Sequence, residues 1–306
     1  MLILIAGVSG HLGKHLAKVG LDQGHQIRGF GRSPNKLPPG LLDRLESFVQ
    51  CDSYHDKAAL DKAVAGVEAV ICCYTSHADA VLDAQLSLLR AVERAGVKIY
   101  HAHSWNADWT KIAHGEFEHY DAYIAFRRHV ELTSPIRPVY VFTGLVGEFA
   151  LNESVGIAHF KGDADDKVLV HWGDGDAKWD FTHMEDAAKF SINLITTNDS
   201  VLAGNGGIFS IHSGEASPKD IARAFEKLTG KKVKLHSLGG VDELKTHLVR
   251  ARATTDPREY FAFAKYYSQA ANLLGTWKLD NPTFVGGTDA VERLFHNQVG
   301  LPGTYQ

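Results

Sequence analysis

The strongest constraint in the sequence is a glycine loop that begins at Gly7. Gly7-Val8-Ser9-Gly10-His11-Leu12-Gly13 follows the apolar, β-branched run LILIAG (2–7) and opens a helical stretch from about His11 to Gln23. Glycines spaced GxxGxxG let a backbone turn tightly and come close to a ligand. The helix N-terminus behind them offers unpaired amides and the positive end of a dipole. The spacing is common by itself, and its place between a strand and a helix gives it meaning. The combination predicts an α/β fold whose first βα unit cradles a pyrophosphate.

The pattern that follows is consistent with this start. Strands are predicted at 26–32, 46–52, 67–74, 97–104 and 137–144, separated by helical segments at 57–65, 79–96 and about 119–133. Gly96 closes the 79–96 helix as a C-terminal glycine. Strands alternating with helices imply βαβ units and a parallel sheet. The fold class is therefore α/β, a Rossmann-type parallel sheet with a smaller, discontinuous α+β substrate lobe. Residues 1–148 form the dinucleotide-binding domain and 149–306 mainly the substrate lobe, with segments near 180–213 rejoining the first domain. Segment 150–180 is polar and glycine-rich, helices are predicted near 185–196, 218–229 and 241–250, and 207–213 reads as a strand returning to the main sheet.

The second strand ends Phe30-Gly31-Arg32-Ser33, without the Asp or Glu that holds the ribose 2′-hydroxyl in NAD-binding relatives of this fold. Arg32 suits a bidentate grip on a 2′-phosphate, and Lys36 adds a second charge. The expected cofactor is NADP(H). Its candidate contacts are Gly7, Ser9, Gly10, His11, Leu12, Gly13, Arg32 and Lys36. Tyr74, Thr75 and Ser76 after the fourth strand and Thr143 at the end of the sixth complete the set.

Composition removes several alternatives. Charged residues make up 22% of the 306-residue chain and its net charge is −4, so there is no basic excess of the kind nucleic-acid-binding surfaces carry. The start MLILIAGVSG lacks a basic leader, and no apolar run approaches the ~20 residues of a membrane helix. The three cysteines, Cys51, Cys72 and Cys73, are too few for a disulfide scaffold and read as buried residues in a reducing compartment. The expectation is a cytoplasmic monomer or homodimer acting on a small molecule, with no direct nucleic-acid partner and no membrane.

These segments resemble the NmrA-like and isoflavone-reductase-like branch of the atypical short-chain dehydrogenases/reductases. The resemblance is carried by GVSGHLG, GRSPNK, Asp52, LDKAVAGVEAVI, the helix of Gln85 and AGVKIY. Further on it is carried by GDGDAKWDFTHMEDAAKFSINLI and IFSIHSGEASPKDIARAFEKLTGKKV. It implies NADPH binding and, in enzymatic members, reduction of phenolic or related secondary metabolites. Some members bind the dinucleotide and regulate transcription factors instead. Plant reductases of the family are implied to carry a catalytic lysine in a run like K-x-x-[IV]-R-R-x-V-E. Here that run is Tyr123-Ile124-Ala125-Phe126-Arg127-Arg128-His129-Val130-Glu131, and Tyr123 takes the place of the lysine.

The candidate catalytic residues are accordingly Tyr123, Arg127, His103 and Tyr120. Tyr123 and Arg127 have the YxxxK spacing with arginine for lysine, and a cation there could stabilise a phenolate. His103 and Ser104 stand at the C-terminal end of the fifth strand, where open α/β sheets bind ligands. His101 and His103 with His114 and His119 suggest zinc, but no matching carboxylate or cysteine set accompanies them, so no metal is expected. A G-x-S-x-G nucleophile elbow is absent. The aromatic run of Tyr260, Phe261, Phe263, Tyr266 and Tyr267 reads as core packing, with a flat apolar substrate as the alternative. Two functions remain: an NADPH-dependent reductase of a small aromatic or secondary-metabolite-like molecule, or a dinucleotide-binding regulator or non-redox descendant without the lysine.

Overall fold

The computed structural model describes residues 1–153, 156, 158–162, 166–256, 259, 261–276 and 278–296, with Phe261 given by its backbone only. Tyr260, and the side chain of Phe261, lie outside the described residues. The chain divides into two compact units. The first comprises Met1–Trp105, Trp109–Phe142 and Met184–Phe209. The second comprises Asn106–Asp108, Thr143–His183 and Ser210–Gln306.

The first unit opens with β1 (Leu2–Ala6), α1 (His11–Asp22), β2 (Gln26–Gly31), the short α2 (Leu41–Arg44), β3 (Ser47–Gln50) and α3 (Lys57–Val64). It continues with β4 (Ala69–Cys72), a π-helical turn (Ala80–Ala84) running into α4 (Gln85–Ala95), β5 (Ile99–His101), α5 (Glu118–Thr133) and β6 (Val139–Phe142). In the second unit follow β7 (Leu145–Val146), β8 (His159–Lys161), β9 (Val168–His171) and β10 (Trp179–Thr182). The chain then returns to the first unit for α6 (Met184–Thr197), α7 (Asp199–Leu202) and the start of β11 (Gly207–His212). The remainder is β12 (Gly214–Ala216), α8 (Pro218–Thr229), β13 (Lys234–Ser237), α9 (Val241–Thr254), α10 (Phe261–Leu274), β14 (Thr283–Phe284) and α11 (Ala290–Arg293).

The main sheet has eight strands in the order β14-β11-β6-β5-β4-β1-β2-β3, and β1 pairs in parallel with both β2 and β4. The order reverses at β1, so the chain leaves β1 and β4 on opposite sides of one crevice. Ligands of open α/β sheets bind at that switch point. Both faces of the sheet are covered: all of Ile3–Ala6 and Ala69–Cys72 are buried, as parallel strands require. Small residues let the helices come close. Gly20 of α1 stands where a Cβ would meet the Ile27 side chain at 2.6 Å and Ile192 of α6 at 3.6 Å. Gly96 ends α4 in the left-handed region (φ +70), as its position in the sequence predicts. The three cysteines are buried thiols.

The second unit is where sequence and structure differ most. The polar segment 150–180 holds β8, β9 and β10, strands of three or four residues that belong to two small sheets, β13-β9-β8 and β12-β10-β7. Strands this short leave no readable alternation. The aromatic run forms α10. Phe263 is buried, and Tyr266 packs against the cluster of Trp172, Leu244 and Ala270. Among the described residues no helix is long and apolar enough to cross a membrane.

Candidate active site

The glycine loop is fixed by main chain on both sides of the switch point. The Gly7 amide donates to the Phe30 carbonyl of β2 at 2.8 Å, and the Cys73 amide after β4 donates to the Ala6 carbonyl at 2.8 Å. Gly7 has φ +90, and a Cβ there would lie 2.4 Å from the Cys73 carbonyl oxygen. At Gly13 a Cβ would lie 2.4 Å from the Gly7 oxygen and 2.8 Å from the Val8 Cα. These two glycines are demanded by the fold itself. Gly10 differs: its φ of −72° is ordinary and it is exposed. It is the N-cap of α1 and makes no side-chain cap, and the first turn contains no acid. The first-turn amides of a helix have no intrahelical partner. Ser9, His11 and Leu12 at this turn are all at least partly exposed. This is a cradle a side chain on Gly10 would fill.

Arg32 follows β2 directly, and Gly31 before it lies close to Ser9: a Cβ on Gly31 would be 3.7 Å from the Ser9 Oγ. Arg32 and Lys36 are both exposed, and among the described residues neither forms an ion pair. The Arg32 guanidinium lies 5.0 Å from the centroid of the Tyr54 ring, which stacks on Tyr74 at 4.1 Å. Tyr74 is buried, Thr75 exposed and Ser76 half-buried. Thr143 belongs to the second unit and is buried there, its hydroxyl 3.3 Å from the Gly144 carbonyl and its amide donating to the Asn106 carbonyl at 2.9 Å.

The other end of the site is made of side chains. β5 stops at His101, and Ser104 extends the pairing in its place. The Ser104 hydroxyl donates to the Ala102 carbonyl at 3.1 Å and accepts from the Val141 amide at 2.8 Å. The fully enclosed Gln85 holds the next link: its Oε1 accepts from the His103 amide at 2.7 Å and its Nε2 donates to the Val81 carbonyl in the π turn at 2.8 Å. With its main chain pinned, His103 turns its ring onto Tyr123 of α5, centroid to centroid 5.7 Å. Tyr120 lies 5.6 Å, His119 5.8 Å and Trp109 6.0 Å from the same Tyr123 ring. Arg127 is not part of this group. Its Nε donates to Glu131 on the next turn at 2.8 Å.

Burial sets the charge state of these imidazoles. His103 retains some exposed surface, but its Nδ1 is sealed from solvent with no hydrogen-bonding group of the described residues in reach. Burial, with His119 and His101 nearby, pushes its pKa down to about 3. Burial likewise lowers His119 to about 4 and His101 to about 4, the latter partly offset by its hydrogen bond to Ala102. That bond, Nδ1–H donating to the Ala102 carbonyl at 2.9 Å, fixes the His101 tautomer. At neutral pH all three rings are uncharged. Among the described residues no three of His, Cys, Asp and Glu are grouped so as to hold a metal ion.

The structure thus brings together the loop, Arg32 and the residues after β4 at one end, and His103, Tyr120 and Tyr123 at the other. Sequence reasoning gave no role to Gln85, Tyr54 or Trp109, and weighed His119 only as a metal ligand. Gln85 had a signal. It interrupts the buried face of Val81, Ala84, Leu88 and Val92, where a polar residue needs a partner. The others had none, because ring contacts between distant segments have no period.

The NmrA-like family model matches residues 1–268. The chain is 23% identical to a bifunctional pinoresinol-lariciresinol reductase of Linum usitatissimum over 252 residues, 79% of each chain. It is 27% identical to the isoflavone reductase homolog IRL of Zea mays over 238 residues, 75% of this chain and 74% of that one. Its fold is similar to that of leucoanthocyanidin reductase from Vitis vinifera, solved as a binary complex with NADPH. The TM-score is 0.74 at 18% identity, over 97% of this chain and 99% of that one. With its parallel sheet, its glycine loop and a family match over most of its length, the chain belongs to the NmrA-like family.

Proposed function

We propose that the chain is an NADPH-dependent reductase of a small aromatic molecule. The observation that carries this reading is the acid-free N-terminus of α1 next to an exposed Arg32 that, among the described residues, no carboxylate pairs with. Gly7, Ser9, Gly10, His11, Leu12 and Gly13 would hold the pyrophosphate, and Arg32 with Lys36 the 2′-phosphate. Tyr74, Thr75 and Ser76 line the same crevice. The relatives named above are reductases, and this supports the redox half of the reading.

When bound, NADPH supplies a hydride, and the protein must orient the substrate and provide a proton. Tyr123 is the best donor. A phenol has an ordinary pKa near ~10, so it carries its proton at neutral pH and can give it up in the reaction. His103, held near 3, is already deprotonated and has no imidazolium to offer. Its role is to pack against the Tyr123 ring and keep water from it. Tyr120 stands as the reserve donor. Arg127, paired with Glu131, does not act as a lysine would. The rings of Trp109, Tyr120 and His119 make this end suited to a flat apolar substrate.

A second reading, a dinucleotide-binding regulator, is favoured by one observation: Tyr123 occupies the place of the family's lysine. Absorbance at 340 nm separates the two. With a panel of aromatic ketones, enones, quinones and benzylic ethers, a reductase oxidises NADPH in step with one of them. NADPH binding without oxidation by any of them favours the regulator.

A further inference from the structure

Tyr54 belongs to no motif in the sequence. It lies on the loop between β3 and α3, half-buried, and its ring touches two neighbours. Tyr74 stacks on it at 4.1 Å with 23° between the planes, and the Arg32 guanidinium carbon sits over it, 5.0 Å from its centroid. The Arg32 side chain also hydrogen-bonds the Tyr54 hydroxyl. Phe30 stands at the edge, 6.4 Å away. The base of this column is rigid: Tyr74 follows β4 and only 3% of its surface is exposed. Lys36, the second cation, has no such platform among the described residues. It sits exposed at the end of the 3₁₀ turn Pro34–Lys36.

This column bears on the weakness of an exposed arginine as a selectivity element. A free arginine gives up rotamer entropy on gripping a phosphate. An arginine already held over a ring has less freedom left to lose when it makes a bidentate phosphate contact. Preorganisation of this kind raises affinity by lowering the ordering cost. We infer that Tyr54 is a positioning residue for cofactor selectivity: through its π face it holds Arg32 in place to distinguish a ribose 2′-phosphate from a 2′-hydroxyl. The inference rests on the reading that Arg32 takes that phosphate.

The test is the ratio of the dissociation constants for NADH and NADPH, measured on the full chain by calorimetry. A general loosening of the site weakens both cofactors and leaves the ratio alone, whereas a loss of Arg32 placement lowers it. Tyr54→Phe keeps the π face and removes the hydroxyl that hydrogen-bonds Arg32, and it should keep most of the ratio because the ring does the holding. Tyr54→Leu keeps apolar bulk without a π face and should lower the ratio about two- to fivefold, the size of a cation–π contact at an exposed site. In an Arg32→Ala background the same Leu substitution should leave the ratio unchanged. If Tyr54→Leu leaves the ratio intact while Arg32→Ala collapses it, Tyr54 has no such role and the reading of Arg32 stands. If Arg32→Ala leaves the ratio intact, the reading of Arg32 fails and the role of Tyr54 fails with it.

Discussion

The two ends of the candidate site in the first unit are built from different materials. At the end proposed for the nucleotide the surface is main chain and exposed charge: the glycine loop, the start of α1 and Arg32. At the β5 end it is buried aromatic and imidazole rings from β5, α5 and the segment between them, tied down by Gln85 and Ser104. The first kind of surface follows from local backbone rules and tolerates variation elsewhere. The second exists only once distant segments have packed. Under this proposal one chain can keep the nucleotide end of its family while the end proposed for catalysis departs from the pattern the resemblance implies, as Tyr123 does.

The largest expected effect lies at the packed end. Tyr123→Phe removes only the phenolic oxygen from a ring that is almost fully enclosed. If Tyr123 gives the proton, steady-state turnover should fall about 10²–10⁴-fold, the usual contribution of a general acid. NADPH affinity should stay within a factor of two. Full turnover by this variant would move the role to Tyr120.

How legible each end was follows from the same contrast. The glycine loop could be read because a positive φ and a close backbone approach are properties of a short stretch, and Gly7 and Gly13 meet both. His103 could be picked out by its place after β5. Its charge state could not, because burial comes from α5 and from neighbouring histidines. Arg127 was read as a partner for Tyr123, yet Glu131 stands four residues on in the same helix, the spacing at which opposite charges pair. The short strands of the second unit stayed hidden because three or four residues show no alternation and part of their pairing is remote: β9 pairs with β8 nearby but also with β13, more than sixty residues away.

Acid stability separates the ends next. Unfolded histidines titrate near 6.5, whereas His103, His101 and His119 in the folded chain titrate near 3, 4 and 4. Between about pH 4 and 6.5 the unfolded chain therefore binds up to three protons that the folded chain does not. The stabilisation is complete above about pH 6.5 and declines as the pH falls, by at most about 4 kcal/mol per pH unit. Denaturant unfolding at pH 7, 6 and 5 should show midpoints that decrease steadily. Equal midpoints would mean these rings are not sealed from water.

A pair of glycine variants sharpens the division within the nucleotide end. Gly13→Ala places a methyl against the Gly7 and Val8 backbone and should cost about 1–3 kcal/mol of stability, despite alanine's better helix propensity. Gly10→Val, at an ordinary φ and an exposed position but with its Cβ 3.1 Å from the Gly7 carbonyl oxygen, should stay folded at a stability cost smaller than that of Gly13→Ala and lose NADPH binding. A folded Gly10→Val variant that binds NADPH normally would place the cofactor elsewhere.

The central claim is that the exposed end of the site selects a 2′-phosphate, and direct titration of the unmodified protein with NADPH and NADH tests it most simply. A charge-assisted contact is worth roughly 1.5–3 kcal/mol, so NADPH should bind about 10- to 150-fold more tightly, with Arg32→Ala erasing most of that difference. Equal affinity for the two cofactors in the unmodified protein would contradict the account.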